Sequence, residues 1–423
     1  MAKRILLTTF GSLGDVHPYI ALALELQRRG HTPVIGTFDL HRPVVESAGI
    51  EFQAIRPGLD VFGDMETVAQ KLFGSWRGPE YMIREIFMKH LRDSHADTLA
   101  AAENVDLLVT HPLTFGGRLV AEQKNLPWVS TVLAPLNLLS AVEPPLFPGG
   151  APLRGLRRFG VAPYRMAFDL IKRMIAHWER PLHDFRRDLG LPRMRGSAQF
   201  EGQFSPLLNL ALFSPLLSAP QSDWPANTVM CGFGQYDGPA SANAELEAFL
   251  AAGEAPIVFA LGSSAVLIAG DFWRHAAAAA AALGKRAILL TGMPPSRLPS
   301  LPEGMRAFQY LPYSQVFPRA SAIVHQAGIG TLAQALAAGR PQLIVPVAFD
   351  QPDNARRAQN IGVARVLPFK EVTAVKLVAE LRALLSQPAH AARARELAVV
   401  LAAENGPRCA VDEIERVFAP VGR

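Results

Sequence analysis

The chain has 423 residues, of which 49% are hydrophobic, and a formal net charge of +5. A chain of this length and apolar content is long enough for two ordinary cores and too long for one. No window approaches the roughly 20 uninterrupted apolar residues of a membrane-spanning helix, and the short apolar run after the first basic pair does not predict a signal peptide. Cys231 and Cys409 have neither the spacing of a metal site nor that of a disulfide framework. These features predict a two-domain cytoplasmic protein.

The positive charge raises the question of an anionic partner. Nucleic acid is disfavoured, because no basic stripe with interleaved aromatic residues appears in the sequence. An anionic small-molecule substrate and an anionic membrane surface would each account for the net charge of +5. The charge alone does not choose between them.

The first half of the chain alternates short apolar runs with helical stretches. The expected elements are a strand at Arg4–Phe10, a loop at residues 11–17, a helix that Pro18 opens over Tyr19–Arg29, a strand at Val34–Phe38, a helical section at Met65–Ala102, a strand at Leu107–Thr110, a helix at Phe115–Lys124 and a strand at Trp128–Val132. This alternation predicts a parallel sheet covered by helices on both faces. Ligands of such sheets lie beyond the carboxyl ends of the strands, where Asp15 and His111 are both expected.

Between residues 141 and 163 the periodic pattern fails, and proline, glycine and arginine clusters predict a long surface loop. An amphipathic helix with interspersed basic residues is expected to follow, from Tyr164 to Leu189. One interpretation is an ordinary solvated helix face. The other is a lid over a substrate site that touches an anionic membrane. The sequence leaves both interpretations open.

A stretch rich in proline and glycine, residues 218–240, predicts a linker between two domains. A second series of elements follows, with a strand at Pro256–Leu261, a helix at Phe272–Leu283, a strand at Ala287–Leu290, and helices at Val372–Leu385, Ala391–Glu404 and Arg408–Phe418. The expected division is an N-terminal domain of residues 1–217, the linker, a C-terminal domain of residues 241–405, and a last helix within residues 406–423.

The clearest chemistry lies between His325 and Gln351. An apolar strand at Ser321–Val324 leads into a glycine-rich turn, where an alanine- and leucine-rich helix begins that ends at Gly339. A second strand, Gln342–Val347, leads to Asp350 and Gln351. A glycine-rich turn before a helix presents free backbone N–H groups at the positive end of the helix dipole. This pattern predicts a phosphate or diphosphate site that needs neither a lysine nor a metal.

The string HQAGIGTLAQALAAGRPQLIVPVAFDQ, from His325 to Gln351, resembles the nucleotide-sugar signature of the UDP-glycosyltransferase superfamily in its bacterial form. The resemblance covers nearly the whole chain, and Gly11–Pro18 and Gly262–Ser264 are its other specific segments. It implies the GT-B fold, an α/β architecture in which two Rossmann-like domains with parallel sheets face each other across a cleft. It also implies that the last helix crosses back to the N-terminal domain. The branch that the chain most resembles contains the rhamnosyltransferase of rhamnolipid synthesis and bacterial enzymes that glycosylate sterols, macrolides and flavonoids.

The resemblance also implies roles for residues of the C-terminal domain. His325 and the N–H groups of Gly330 and Thr331 would bind the donor diphosphate, with His325 donating a charge-assisted hydrogen bond. Asp350 and Gln351 would bind sugar hydroxyls. Further expected donor contacts are Ser263, Ser264, Tyr310 (against the base), Leu311, Tyr313, Gly328 and Ile329.

The residue at position 334 bears on the choice of nucleotide. Relatives that use a ribose donor often have a Glu there that accepts both ribose hydroxyls, and this chain has Gln334. The missing carboxylate predicts a preference for a dTDP-sugar. The expected donor is dTDP-rhamnose, and glucose carried by UDP or dTDP is the alternative.

The implied reaction is an inverting transfer of the sugar to a hydroxyl of a hydrophobic acceptor, a lipid or small natural product, without a metal or other cofactor. One side chain must accept the hydroxyl proton. Many relatives use a His that a downstream carboxylate orients; here the two residue types are exchanged, with Asp15 first and His111 downstream. Asp15 is the predicted base, and His111 and His17 are the alternatives. Asp15 as a simple helix cap is the competing structural interpretation.

Two other functions fit the same resemblance. A sugar-nucleotide 2-epimerase of this fold would release free sugar without any acceptor. A catalytically silent nucleotide-sugar binder would bind the donor without turnover, although the presence of Asp15 argues against that possibility.

Overall fold

The computed structural model describes residues 1–147, 158–238, 243–295, 298 and 300–419. Residues 148–157 of the loop predicted at residues 141–163 therefore lie outside the described residues. The chain divides into two compact units, one formed by Met1–Tyr236 with Asn405–Arg423 and the other by Asp237–Glu404.

The first unit contains a seven-stranded sheet in which every pair of neighbouring strands is parallel. Its strands are β1 (Arg4–Thr8), β2 (Thr32–Thr37), β3 (Glu51–Ala54), β4 (Leu107–Thr110), β5 (Trp128–Val132), β6 (Asn209–Ala211) and β7 (Thr228–Met230). They lie in the order β3-β2-β1-β4-β5-β6-β7. The change of direction beside β1 is the position at which open parallel sheets bind ligands.

Helices alternate with the strands of this sheet. Those before the second unit are α1 (Leu13–Arg28), α2 (Arg42–Ser47), α3 (Leu59–Phe62), α4 (Met65–Phe73), α5 (Gly78–Tyr81), α6 (Leu91–Ala101), α7 (Phe115–Lys124), α8 (Ala162–Ile175) and α9 (Arg180–Asp188). A π-helical segment, Met82–Met88, connects the α5 region to α6. The single helix predicted at Tyr164–Leu189 is instead two helices, separated by a 3₁₀ turn at Ala176–Glu179.

The second unit contains a six-stranded sheet that is also parallel throughout. Its strands are β8 (Ile257–Ala260), β9 (Ala287–Leu290), β10 (Met305–Phe308), β11 (Ala322–His325), β12 (Gln342–Ile344) and β13 (Ala364–Val366), in the order β10-β9-β8-β11-β12-β13. Its helices are α10 (Ala244–Ala251), α11 (Gly262–Ala265), α12 (Phe272–Ala282), α13 (Tyr313–Val316), α14 (Ile329–Ala337), α15 (Gln351–Asn360), α16 (Ala374–Ser386) and α17 (Pro388–Ala402).

The last helix, α18 (Gly406–Phe418), packs on the first unit. Arg29, at the end of α1, forms ion pairs with Asp412 (2.6 Å) and Glu415 (2.8 Å). The ring of His31 lies 3.1 Å from the second of these carboxylates. The N-terminal turn of α18 lies so close to the chain that a Cβ on Gly406 would overlap the carbonyl oxygen of Phe233.

Two further predictions differ from the structure. Residues 218–240, predicted as a linker, contain β7, which pairs in parallel with β6 and extends the first sheet by one strand. Helix α1 begins at Leu13, so Pro18 lies inside the helix and does not open it. A three-residue strand is too short to give a periodic signal, and the proline obscured the earlier capping residue.

No helix among the described residues combines the length and apolar character that spanning a bilayer would require.

Candidate active site

Asp15 lies in the first turn of α1, where its carboxylate caps the helix. Ser12 is the N-cap residue, and its backbone N–H and hydroxyl donate to Asp15 Oδ2 at 2.7 and 3.0 Å. The Ser12 hydroxyl in turn accepts from the N–H of Gly14 at 3.2 Å. This reciprocal capping box satisfies N–H groups that a helix start leaves free. The capping interpretation of Asp15 is therefore correct for Oδ2, and the other carboxylate oxygen, Oδ1, remains available for a different role.

The turn before α1 is built to accept this carboxylate. Gly11 has φ +135°, and a Cβ at that position would overlap Asp15 Oδ2. The ring of His41, on the neighbouring loop, lies with Nε2 2.9 Å from the carbonyl oxygen of Gly11. Burial lowers the pKa of His41, so at neutral pH its uncharged ring donates Nε2–H to that carbonyl. Glycine at position 11 and the buried histidine together fix the peptide against which Asp15 packs.

His111 follows β4 directly and brings its ring to Asp15. Its Nε2 lies 3.4 Å from Asp15 Oδ1, and its side chain is 4% exposed against 31% for Asp15. The backbone N–H of Leu113 donates to His111 Nδ1 at 3.1 Å. Because Nδ1 accepts this bond, the ring proton of the neutral imidazole is on Nε2 and faces Asp15. The structure thus brings together Asp15 and His111 as the sequence predicted.

A buried tyrosine, Tyr19, also lies near this histidine. The ring centroids of Tyr19 and His111 are 6.0 Å apart, and the Tyr19 hydroxyl lies 2.5 Å from Thr131 Oγ1. Burial, and then the charge of Asp15, raise the pKa of Tyr19 well above its ordinary value, although its bond to Thr131 opposes the rise. Tyr19 therefore remains a neutral hydroxyl that packs beside the pair.

His17, the third predicted catalytic residue, lies on α1 two residues after Asp15. Its ring makes an edge-to-face contact with Tyr236, with centroids 5.4 Å apart. The pair formed by Asp15 and His111 thus joins a carboxylate to an oriented imidazole beyond the carboxyl ends of β1 and β4, which are neighbouring strands.

In the second unit, the glycine-rich turn joins β11 to α14. Gly328 is the N-cap residue of α14, and the helix runs for nine residues from Ile329. Ala327, just before the cap, has φ +66°, a left-handed conformation that is uncommon for a residue with a Cβ. Its N–H donates to His325 Nδ1 at 3.1 Å, and its carbonyl accepts from Asn354 Nδ2 at 3.0 Å. Hydrogen bonds on both sides of Ala327 therefore hold the turn that presents the start of α14.

His325 does not have the environment that the sequence analysis assigned to it. Its side chain is fully buried, and Nε2 donates to Gln342 Oε1 at 2.9 Å while Nδ1 accepts from Ala327. Burial lowers the pKa of His325 to about 4, against the smaller opposing effect of the bond to Gln342. An uncharged ring with both nitrogens occupied does not supply the predicted charge-assisted hydrogen bond to a diphosphate. In this structure His325 orients the turn.

The turns after β8 and β11 meet, because these two strands are neighbours in the sheet. Gln326 is buried, and its amide lies so close to Gly262 that a Cβ there would overlap Nε2. The same nitrogen lies 3.4 Å from Thr331 Oγ1. Tyr313 joins this group through hydrogen bonds to the Thr331 side chain and the Gly262 backbone; its pKa is raised to about 12, chiefly by burial. Thr331 is therefore buried among polar groups at the start of α14.

The other predicted donor residues lie around these turns. Ser263 and Ser264 form the first turn of α11 beside Gly262, with Ser263 exposed and Ser264 half-buried. Ile329 and Gly330 open α14, and Gln334 lies half-buried in the second turn of that helix. Tyr310 is 54% exposed, and its hydroxyl donates to the carbonyl of Asp237 at 2.8 Å. Leu311 is buried in the core, so it supports the turn from beneath.

Asp350 and Gln351 follow β12 and have different environments. Asp350 Oδ2 accepts from Asn354 Nδ2 at 2.7 Å, and the same amide reaches Ala327. Gln351 is buried, and its Oε1 accepts from the N–H of Val347 at 2.9 Å. Asp350 is thus tied to the glycine-rich turn, while the amide oxygen of Gln351 organises its own loop.

The sequence did not identify four residues that contact this second site: Asn354, Gln342, Gln326 and Asp237. Asn354 follows Asp350 by four positions on α15, a spacing that places the two side chains on one helix face and could have been noticed. Gln342 contacts His325 only because β11 and β12 pair, with His325 opposite Ile344. No local signal in the sequence indicates that contact.

Burial of His325 gives a prediction for the acid side of the stability profile. Its folded-state pKa is about 4, whereas an unfolded histidine titrates near 6.5, so the unfolded chain binds a proton first as pH falls. The stabilisation is complete above about pH 6.5 and is lost towards pH 4. We expect the free energy of unfolding to fall by about 2 kcal/mol between about pH 7 and pH 5 from this residue. Urea unfolding at the two pH values measures the change.

Other buried histidines act in the same direction, since burial also lowers the pKa of His41 and His95. The matched comparison is therefore His325→Gln, which cannot titrate. This variant should lose less stability on acidification than the wild type does. An equal loss in both proteins would mean that His325 is not buried in its neutral form.

Comparison with known proteins adds a family to this geometry. The chain matches the profile of the glycosyltransferase family 28 N-terminal domain over residues 5–141 and that of the erythromycin biosynthesis protein CIII-like C-terminal domain over residues 279–417. It is 35% identical to O-mycaminosyltylonolide 6-deoxyallosyltransferase of Streptomyces fradiae over 417 residues, covering 95% of this chain and 94% of that protein.

Solved structures show the same fold. The glycotransferase of kitacinnamycin superposes with a TM-score of 0.71 at 21% identity, covering 98% of this chain and 99% of its own. The glycosyltransferase VinC, solved in complex with dTDP, superposes with a TM-score of 0.70 at 22% identity, covering 98% of this chain and 99% of VinC. Together with the two parallel sheets, these neighbours confirm the predicted GT-B fold class.

Proposed function

The chain belongs to the bacterial natural-product branch of the UDP-glycosyltransferase superfamily, and we propose that it moves a deoxyhexose from a dTDP-sugar to a hydroxyl of a hydrophobic acceptor, with inversion at the anomeric carbon. Transfer of a sugar from a nucleotide sugar follows from the family itself. The observation that carries the rest of the proposal is the oriented pair of Asp15 and His111, which supplies a proton acceptor for a hydroxyl nucleophile.

The hydrogen bonds around Asp15 indicate which of its oxygens accepts the proton. Oδ2 already accepts from the N–H and hydroxyl of Ser12. Oδ1 faces His111 Nε2 at 3.4 Å and has a lone pair to spare. In the proposed step the acceptor oxygen forms the bond to the anomeric carbon as the bond to the diphosphate breaks. The hydroxyl proton passes to Asp15 Oδ1, and the electron pair leaves with the diphosphate.

The second unit supplies the donor site in this proposal. Backbone N–H groups at the start of α14, which begins at Ile329, would hold the charge that develops on the leaving diphosphate. The preceding turn is rigid because His325 and Asn354 hold Ala327 from both sides. Asp350 would accept hydrogen bonds from hydroxyls of the sugar. The proposed reaction uses these groups without a metal ion, so added EDTA should leave the rate unchanged.

A screen of nucleotide-sugar donors against hydroxyl-bearing acceptors, read by mass spectrometry, tests the proposal. We expect a product whose mass exceeds that of a macrolide, aromatic or lipid acceptor by one deoxyhexose, with NMR showing the inverted anomeric configuration. Free sugar formed without an acceptor would instead favour a sugar-nucleotide epimerase. Donor binding without turnover on the whole panel would contradict catalysis.

The nucleotide preference can be tested at Gln334. A carboxylate at this half-buried position of α14 would accept hydrogen bonds from both hydroxyls of a ribose. We therefore expect wild type to bind dTDP more tightly than UDP, and Gln334→Glu to shift the ratio of the two affinities about tenfold towards UDP. Calorimetric titration with both nucleotides measures the ratio. VinC was solved with dTDP bound, which agrees with the expected preference.

Gln359→Glu is the matched control, because it makes the same charge change at an exposed position on α15. It should leave the ratio of the two affinities as in wild type. Tighter binding of UDP than of dTDP by the unmodified protein would reverse the assignment of the donor.

A further inference from the structure

Helix α8 has two apolar faces, and the protein covers one of them. Tyr164 and Phe168 on the inner face are buried and pack with Ala141. The outer face carries Met166, Leu170 and Met174, which are 72%, 59% and 65% exposed. Their spacing of four residues aligns them in one stripe along the helix. Since the inner face already supplies the contacts that hold α8 on the unit, the outer stripe is not needed for folding.

The surface around this stripe is strongly basic. In the described residues 158–203, six exposed arginines have no ion pair with an acidic side chain: Arg158, Arg165, Arg173, Arg180, Arg193 and Arg195. Among the acidic residues described in the same range, Asp169 is the one that forms no ion pair. The other acids of this segment form ion pairs or accept several hydrogen bonds, as Glu179 does from residues 197–199. The described residues 158–203 therefore carry an excess of unpaired positive charge.

Two of these arginines lie on or beside α8, the helix that carries the stripe. An open cavity of about 910 Å³ lies between α8, α9 and the segment 191–201, and Arg173 and Arg193 both line it. Arg173 follows Met166 by seven residues, so it lies on the same side of α8 as the stripe. Lys172 also lines the cavity but pairs with Glu201. Apolar side chains thus project beside unpaired arginines.

We propose that this basic face, defined by Met166, Leu170 and Met174 with Arg173 and Arg193, binds peripherally to a bilayer rich in anionic phospholipid. Helix α8 would lie in the plane of the headgroups, with its apolar stripe below them and the arginines at the lipid phosphates. An interfacial helix needs this combination of an unpaired apolar face and surrounding positive charge. The charge selects an anionic surface, since a neutral one would leave the arginines without a partner. The proposal does not depend on the proposed reaction.

Cosedimentation of the full chain with vesicles tests the proposal. We expect binding to vesicles of phosphatidylcholine mixed with phosphatidylglycerol, little binding to phosphatidylcholine alone, and a steep loss of binding as salt is added. Arg173→Glu with Arg193→Glu should weaken the partition coefficient by about 30-fold or more. The triple change of Met166, Leu170 and Met174 to Ser should weaken it by about tenfold.

The second unit offers matched controls. Val375, Val399 and Val400 are exposed apolar side chains of the other unit, 79%, 74% and 46% exposed, and their triple change to Ser should leave vesicle binding as in wild type. Arg382→Glu with Arg395→Glu makes the same charge change at exposed positions on α16 and α17 and should also leave it unchanged. Circular dichroism and the Tm verify that each variant is folded.

Several results would overturn the proposal. Equal binding to both kinds of vesicle, or none to either, would remove the role of anionic lipid. Equal weakening by the control variants would show that the basic face is not the site. Full competition by inorganic phosphate at an ionic strength matched with NaCl would indicate a site for free anions. A concentration-dependent dimer that the serine variant abolishes, without vesicle binding, would identify a second copy of this chain as the partner.

Discussion

Asp15→Asn should reduce turnover by about 10²–10⁴-fold while leaving donor affinity nearly unchanged. The substitution keeps the size of the side chain, and its amide oxygen can still accept from the N–H of Ser12, so α1 retains its cap. It removes the oxygen that faces His111 Nε2 at 3.4 Å and with it the proton acceptor of the proposed step. Initial rates at saturating donor, together with calorimetry of the free nucleotide, measure the two quantities separately.

His111→Ala should cost less, about 10- to 100-fold in turnover, because this side chain only orients the carboxylate through a single hydrogen-bond donor. The N–H of Leu113 holds the ring with Nε2–H directed at Asp15, so the imidazole fixes the direction of the carboxylate. His17→Ala should have a smaller effect than either, since His17 packs against Tyr236. The order of the three losses therefore tests the assignment of roles.

Asp64→Asn provides the matched control for helix capping. Asp64 accepts from the N–H groups of Glu66 and Thr67 at the start of α4, in the same unit but away from the pair. It should lower the Tm about as much as Asp15→Asn does and leave turnover unchanged. Should Asp15→Asn retain most of its activity while His111→Ala or His17→Ala abolishes it, a histidine is the base and the roles proposed here are wrong.

The sequence predicted the alternation of strands and helices well because that signal is local. The helix Phe115–Lys124 and the strands Leu107–Thr110 and Trp128–Val132 have the predicted boundaries. The predicted start of α1, at Pro18, lies five residues after the observed start at Leu13, because the proline is inside the helix. The Ser12 and Asp15 spacing is itself a capping signal, and it competes with the proline signal six residues later.

The chemistry of single residues was less predictable, because it depends on contacts between distant parts of the chain. The motif correctly indicated a rigid turn at the start of a helix, but not that the His325 ring would be buried and uncharged. That outcome depends on Gln342, which pairing of β11 with β12 places beside the ring. The pairing of Asp15 with His111 was predictable, since both residues follow neighbouring strands and must lie at one edge of the sheet.

Loss of His325 should weaken binding of free dTDP by about 10- to 100-fold. We expect this because the turn before α14 loses a supporting hydrogen bond, and not because a contact with phosphate is lost. His325→Ala leaves the N–H of Ala327 without its acceptor, and the left-handed conformation at φ +66° then loses one of its two supports. Each buried polar group left unpaired costs about 1–3 kcal/mol. The N–H groups at the start of α14 would no longer be fixed for a diphosphate. Calorimetric titration with dTDP measures the loss.

Asn354→Ala distinguishes an effect through the turn from direct binding by His325. Its amide supports the same turn from the opposite side, through the carbonyl of Ala327, and does so without an imidazole. If the turn carries the effect, Asn354→Ala should also weaken dTDP binding, by about tenfold, and both variants should lower the Tm. Glu380→Ala, which breaks a partly buried ion pair with Arg365 in the same unit, should lower the Tm without changing affinity. Wild-type affinity in Asn354→Ala beside a large loss in His325→Ala would show instead that the histidine contacts the nucleotide itself.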